Sequence, residues 1–137
     1  SEGTFYLRGP ADPTFIGGSR LSRVSFMNEV LYVYTAVGSL EVARRLVQGA
    51  VRKRLAAGGQ VVGPAESAFW HEGSFGTGQE WQVVLRSSAG AYPQLESYLK
   101  EHHEWSNPEI VALPVVAGSR PYLQWVRGVT ETAGDGG

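Results

Sequence analysis

The sequence predicts an α+β fold: one antiparallel sheet with two helices on a single face and a further helix after it. Three observations carry that prediction. Four stretches are rich in β-branched and aromatic residues, and two others repeat apolar residues at three- and four-residue steps. The two kinds alternate in the order strand, helix, strand, strand, helix, strand.

Val30 to Ala36, VLYVYTA, reads as the first strand. Gly38-Ser39 breaks it, with Ser39 placed to cap a helix. Leu40, Ala43, Val47, Ala50, Val51 and Leu55 share one face of that helix over 40–57, which Gly58-Gly59 is expected to stop. Arg44, Arg45, Arg52 and Lys53 take its other faces; with no stacking aromatics among them, they read as a solvated surface. Val61 to Phe69 and Trp81 to Ser87 are the next two strands. Between them His71 to Gly78 reads as a hairpin turn with a bulge, since no phosphate-loop pattern or strand-to-helix context is present.

Tyr92, Leu95, Tyr98, Leu99 and His102 give a second helix over 91–102, with Pro93 in its first turn. The stretch Glu101 to Val116 then leads from a helix end into a near-continuous apolar run, 110–116, the pattern of a strand covered on both faces. Pro108 biases Asn107 to an extended conformation, so 102–107 is a connection, the kind of segment that carries function. Ser119 and Pro121 open a third helix whose apolar face holds Tyr122, Trp125, Val126 and Val129.

The chain therefore divides into an extension, 1–28, cut by Gly9-Pro10, Asp12-Pro13 and Gly17-Gly18; one domain, 29–129; and a tail, 130–137. The extension is expected to lie on the domain or add an edge strand, or else to serve as a partner-binding arm. At 137 residues there is room for one core. The formal charge of −1 gives no reason to expect nucleic acid or an anionic membrane as partner. No cysteine is present, which excludes disulfides and thiolate metal sites. No apolar run approaches the roughly 18 residues of a membrane span, and no signal-like start is read, so a cytoplasmic location is expected.

The element order is that of the ferredoxin-like sandwich, βαββαβ, here with an added C-terminal helix. Its second sheet face would stay uncovered although the strands are apolar on both sides, so sheet-to-sheet oligomerisation is expected.

Six segments in register, VLYVYTAVGS, ARRLVQGAVRKRLAAGGQV, SAFWHEG, EWQVVLRS, HHEWSNPEIVALPV and YLQWVR, resemble the CutA family of divalent-cation tolerance proteins from about Val30 to Arg127. The resemblance implies a ferredoxin-like protomer in a tight trimer whose sheets enclose a three-fold axis. It also implies a lateral cleft between subunits, similar to that of the PII signalling proteins. Glu80, His103, Pro108, Glu109, Tyr122 and Trp125 follow the family pattern. Gly58 stands where the family usually has cysteine, and Tyr34 where some members have one. His71 takes the place of a tryptophan, with Trp70 one position earlier. His103-Glu104-Trp105 replaces His-Pro-Tyr, and Arg86-Ser87 replaces Lys-Thr. Several changes in one cleft suggest a changed ligand.

His103 is placed at that cleft by the resemblance; by position alone it reads equally as a cap on a helix end. His102 falls on the helix pattern and reads as structural. His71 with Glu72 sits on the hairpin that the family brings to the cleft. Trp70 and Trp105 lie beside the two cleft histidines and are candidate pocket walls, whereas Trp81 and Trp125 read as packing. His71, His103 and Glu109 are the residues that would act as acid and base if the cleft were catalytic. The binding set is Trp70, His71, Glu72, Arg86, His103, Trp105 and Glu109. As metal ligands, His71 and His103 without sulfur suit Zn²⁺, Ni²⁺ or Cu²⁺, bound weakly. The spacing of the two histidines matches no metal motif.

Three functions are consistent with these readings: a CutA-like trimer binding a divalent cation or small ligand in ion tolerance or PII-like signalling; an enzyme built from the same cleft and acting on a small organic substrate; and a structural trimerisation module. No nucleophile–base constellation or cofactor fingerprint marks the second.

Overall fold

The computed structural model describes residues 29–131; the extension and the last six residues lie outside this range. Its elements are β1 (Val30–Val37), α1 (Leu40–Arg52), β2 (Gly58–His71), β3 (Ser74–Ser88), α2 (Tyr92–His102), β4 (Val111–Pro114) and α3 (Arg120–Thr130). The strands form one sheet in the order β2-β3-β1-β4 with every neighbouring pair antiparallel. With α1 following β1 and α2 following β3, this is the ferredoxin-like arrangement expected from the sequence.

Alternation along the strands decides what each face does. Leu31, Val33 and Val37 of β1 and Val83 and Leu85 of β3 point to one side, where Ala43, Leu46, Ala50, Leu95 and Leu99 of the two helices close over them. Each large side chain buried there contributes roughly 1.5–3 kcal/mol relative to exposure. Thr35 and Ser87 share this face and are buried; the Ser87 hydroxyl donates to the Leu55 carbonyl at 2.6 Å. Trp81 packs against the same core, as its position in the sequence predicts.

Ser39 caps α1, its hydroxyl accepting from the Val42 amide at 3.1 Å. The other end departs from expectation. The helix stops at Arg52, five residues short of Ala57, and the stop lies at Arg54 rather than at the glycine pair. Arg54 adopts φ 62°, Leu55 N–H donates to Ala50 O and Arg54 N–H to Val51 O. This is a Schellman closure with arginine in the left-handed position. Gly58 and Gly59 open β2 instead. A Cβ on Gly59 would stand 2.8 Å from Leu85 Cδ2 and 3.1 Å from the Val84 carbonyl, so a side chain has no room there.

The hairpin is longer than the sequence suggests. Pairing between β2 and β3 runs from Gly58↔Arg86 to His71↔Ser74, and the turn is Glu72-Gly73 alone, at φ 51° and 81°. Two successive positive φ values mark the turn that matches strand twist in tight hairpins. The bulge lies away from the turn, at Gly63-Pro64. β1 reaches β3 only from Trp81 to Ser88, so among the described residues 65–71 and 74–80 pair only with each other and form a two-stranded ribbon beyond the rest of the sheet.

β4 is four residues long and sits at the sheet edge, paired with β1 from Leu31↔Pro114 to Tyr34↔Val111. The cover on both faces expected for 110–116 is not supplied by the described residues: Leu113 is 53% and Val116 80% exposed. α3 lies on the sheet face opposite α1 and α2, where Val126 meets Val30 and Ala57, with Leu123, Val129 and Val115 around them. Thr130, read from sequence as the first residue of the tail, ends this helix and is buried with its hydroxyl 2.8 Å from that of Ser88. Trp125 is not a core residue as expected; it lies 48% exposed at the flank of α3.

Candidate functional site

Three groups of side chains stand out, and the sheet register explains the first. Tyr32 pairs with Arg86 on one side and Leu113 on the other, so these residues share a row on the face that α3 only partly covers. The Arg86 guanidinium lies 5.2 Å from the centroid of the Tyr32 ring and donates to Gln60 Oε1 at 2.8 Å. From α3, the Tyr122 and Trp125 rings meet at 5.7 Å, tilted 43° to each other, and the Trp125 ring reaches across Gly58, 3.7 Å from where a Cβ would stand. Hydrogen bonds from Tyr122 and then from Arg86 hold the Tyr32 phenol below the ordinary tyrosine value. Burial, and then the bond to Tyr32, pushes the Tyr122 phenol up. No carboxylate among the described residues forms an ion pair with Arg86.

The second group is the loop after α2. His103 Nε2–H donates to the Ala36 carbonyl at 2.9 Å and lies 3.1 Å from Thr35 Oγ1, while Nδ1 accepts from the Trp105 amide at 3.0 Å. Both ring nitrogens are thus in use, which fixes the neutral Nε2–H tautomer. Glu104 accepts from the Gly38 amide at 2.6 Å, and the Trp105 ring lies 5.2 Å from that of His103. His103 and Trp105 therefore come together, as the sequence predicts, and clip the loop over the end of β1. His102 bonds the Tyr98 carbonyl through Nδ1 at 3.0 Å, the structural role expected of it.

The third group is the ribbon tip. Trp70 is 76% exposed and meets Phe75 edge-to-face at 6.0 Å. His71 at the end of β2 and Glu72 in the turn lie 3.7 Å apart, and both are open to solvent. Glu109 is exposed just before β4. Among the described residues no group of three or more histidines and carboxylates gathers to hold a metal ion. The chemistry of one protomer is then cation and phenols on the sheet, a closed imidazole at the loop, and open aromatics with one free imidazole at the tip.

A family profile described as the CutA1 divalent ion tolerance protein matches residues 31–129. The chain belongs to this family. The divalent-cation tolerance protein CutA of Thermus thermophilus is 37% identical over 101 residues, covering 74% of this chain and 96% of that protein. Protein CutA 1, chloroplastic, of Oryza sativa is 30% identical over 112 residues, which are 82% of this chain and 63%, less than two thirds, of the rice protein. Among solved structures, the T. thermophilus protein superposes with a TM-score of 0.72 at 36% identity, over 74% of this chain and 98% of that one. Rice CutA1 does so with the same TM-score at 30% identity, over 74% and 94%.

All three groups lie inside the CutA1 match. Sequence reasoning named Arg86, Trp70, His71, Glu72, His103, Trp105 and Glu109 but missed the partners that give some of them their setting. Tyr32 and Thr35 were legible only as strand residues, Glu104 only as a departure from the family pattern, and Gln60 was not singled out. Strand alternation would have placed Tyr32 opposite the helices, but its pairing with Arg86 needs the register. Among the described residues no helix is long and apolar enough to cross a membrane.

Proposed function

We propose that this CutA1 protein is a homotrimer that binds a divalent cation or a small ligand between its subunits. The observation that carries the reading is a pair of surfaces that the described residues leave uncovered. The ribbon displays Phe69, Trp70 and Phe75, and the free edge of β4 displays Val111 and Leu113. Surfaces of this kind are covered by partners. A ribbon-to-edge contact joins two different patches and makes a ring where its rotation closes; the family resemblance supports a ring of three. Such a contact would bring Trp70, His71 and Glu72 of one subunit towards Trp105 and Glu109, which precede the next subunit's β4. His71 is the imidazole with open nitrogens, and a site without sulfur suits Zn²⁺ or Cu²⁺ held weakly.

Light scattering coupled to size exclusion should return three times the protomer mass of 14.8 kDa. A double Trp70→Ser, Phe75→Ser variant should run smaller while its helical circular dichroism persists. Calorimetry with Zn²⁺ and Cu²⁺ should give dissociation constants of micromolar order or weaker, raised about tenfold or more by His71→Ala. A monomeric wild type would overturn the assembly, and tight metal binding untouched by His71→Ala and His103→Ala would overturn the site.

A further inference from the structure

The outward surface of α1 has a feature that neither the fold nor the ligand reading uses. We propose that it is a docking surface for an acidic segment of a partner protein.

The span 40–55 carries five cations, Arg44, Arg45, Arg52, Lys53 and Arg54, and one carboxylate, Glu41, in a chain whose net charge is −1. α1 buries Ala43, Leu46 and Ala50 against the sheet, so the helical period puts Arg44, Arg45 and Arg52 together on the opposite arc. Lys53 and Arg54 extend the arc past the helix end, and all five side chains are exposed. Among the described residues none of the five forms an ion pair. A helix face that serves solubility alone typically mixes the two signs. This one holds a single sign over roughly 12 Å from Arg44 to Arg52.

Arg54 supplies a second observation. It takes φ 62°, the left-handed conformation in which glycine is the residue of least strain. Its amide helps to close the helix by donating to Val51 O, a bond that the amide of any residue but proline would make. Its side chain forms no hydrogen bond or ion pair among the described residues. An arginine kept where glycine is less strained, with a side chain that the fold does not employ, argues for a use outside the fold.

The chemistry of the partner follows from the residues. Four of the five cations are arginines, whose planar fork pairs with a carboxylate through two oxygens at once. Carboxylates on one side of an extended segment recur at about 6.6 Å, so an acidic run of about five residues spans the arc. No aromatic side chain lies among the cations on which the bases of a nucleic acid could stack. The apolar face of α1 is in the core, which leaves it none to lay into a lipid surface. In a trimer whose sheets enclose the axis, as the family resemblance implies, α1 would face outward and stay open. Its three copies would then point in three directions, which no flat membrane meets together. Outside the described range, 1–28 holds Glu2 and Asp12 against Arg8, Arg20 and Arg23, and 132–137 holds Asp135, so neither supplies the acidic run.

The test is fluorescence anisotropy of labelled hexaglutamate titrated with the purified protein. Hexalysine, duplex DNA and vesicles of phosphatidylcholine with phosphatidylserine are run beside it. Hexaglutamate should bind, hexalysine should not, and raising salt from about 50 to about 300 mM should weaken binding severalfold as screening shortens the reach of exposed charges. Arg52→Gln should weaken binding severalfold, and Arg45→Gln with Arg52→Gln tenfold or more. Arg120→Gln, which removes one exposed cation from α3, should leave binding unchanged. Arg54→Gly decides the matter: it should weaken binding severalfold while raising the thermal midpoint, a separation that a merely structural residue does not give. Failure of hexaglutamate to bind at about 50 mM salt would overturn the proposal. So would binding that survives Arg52→Gln and Arg54→Gly, an equal loss in Arg120→Gln, or tighter binding of the DNA or the vesicles. Light scattering of the same samples keeps this result separate from that of the trimer.

Discussion

Tyr92, at the start of α2, is buried with its hydroxyl donating to Glu96 at 3.1 Å. Burial, with the Glu96 carboxylate adding to it, pushes the phenol well above the ordinary value of about 10. The sign is set by proton linkage. Above the unfolded pKa the unfolded chain gives up this proton while the folded chain keeps it, so stability is complete below that pH and is lost as pH rises. Each such group contributes a slope of at most about 1.4 kcal/mol per pH unit. Urea midpoints at pH 9, 10 and 11 should fall progressively, and Tyr92→Phe should flatten the fall; an unchanged slope would refute the assignment. At this scale the sequence is informative about kinds of residue and silent about meetings. Tyr92 was legible as a helix residue of the core. His103 was legible as either a helix cap or a cleft residue, and its bond to Ala36 O, across 67 residues, was not.

Among the elements, α1 shows why a correct period can give a wrong boundary. Leu55 falls on the helical pattern because the Schellman closure returns an apolar residue to the core after the helix has ended. Periodicity cannot separate that from one more turn, and Gly58-Gly59 made a convincing false stop. Two substitutions distinguish the roles. Arg54→Gly should stabilise the protein by about 0.5–1 kcal/mol, because glycine occupies φ 62° without Cβ strain. Gly59→Ala should destabilise it by about 1–3 kcal/mol, because the added carbon meets Leu85 and the Val84 carbonyl. Thermal denaturation of the two variants checks both signs, and a stabilising Gly59→Ala would refute the packing account. The ribbon was underestimated for a related reason. Ser74-Phe75-Gly76-Thr77-Gly78 has the glycine content of a loop. Yet the cross-strand partners Phe69↔Gly76 and Trp70↔Phe75 make it strand.

For the molecule as a whole, the order of elements was readable because ferredoxin-like topology follows from the alternation of two periods. What the sequence did not reveal was where each face of the sheet finds cover. α3 takes the Val30 end, β4 is an edge, and the ribbon projects without a paired neighbour among the described residues. The position of β1 has a consequence for the birth of the chain. It is the earliest described strand to leave the ribosome and also an inner strand of the sheet, hydrogen-bonded to β3 and β4. Until Trp81 to Ser88 have been synthesised, Val30 to Val37 has neither partner, and its second edge stays open until Val111 to Pro114 arrive. During that interval an aromatic, β-branched segment is available to any unpaired strand nearby. A fragment ending at Glu104 should therefore aggregate through β1, and adding the separate peptide 105–131 should suppress the light scattering. The growing protein must be guarded longest at the earliest of its described strands.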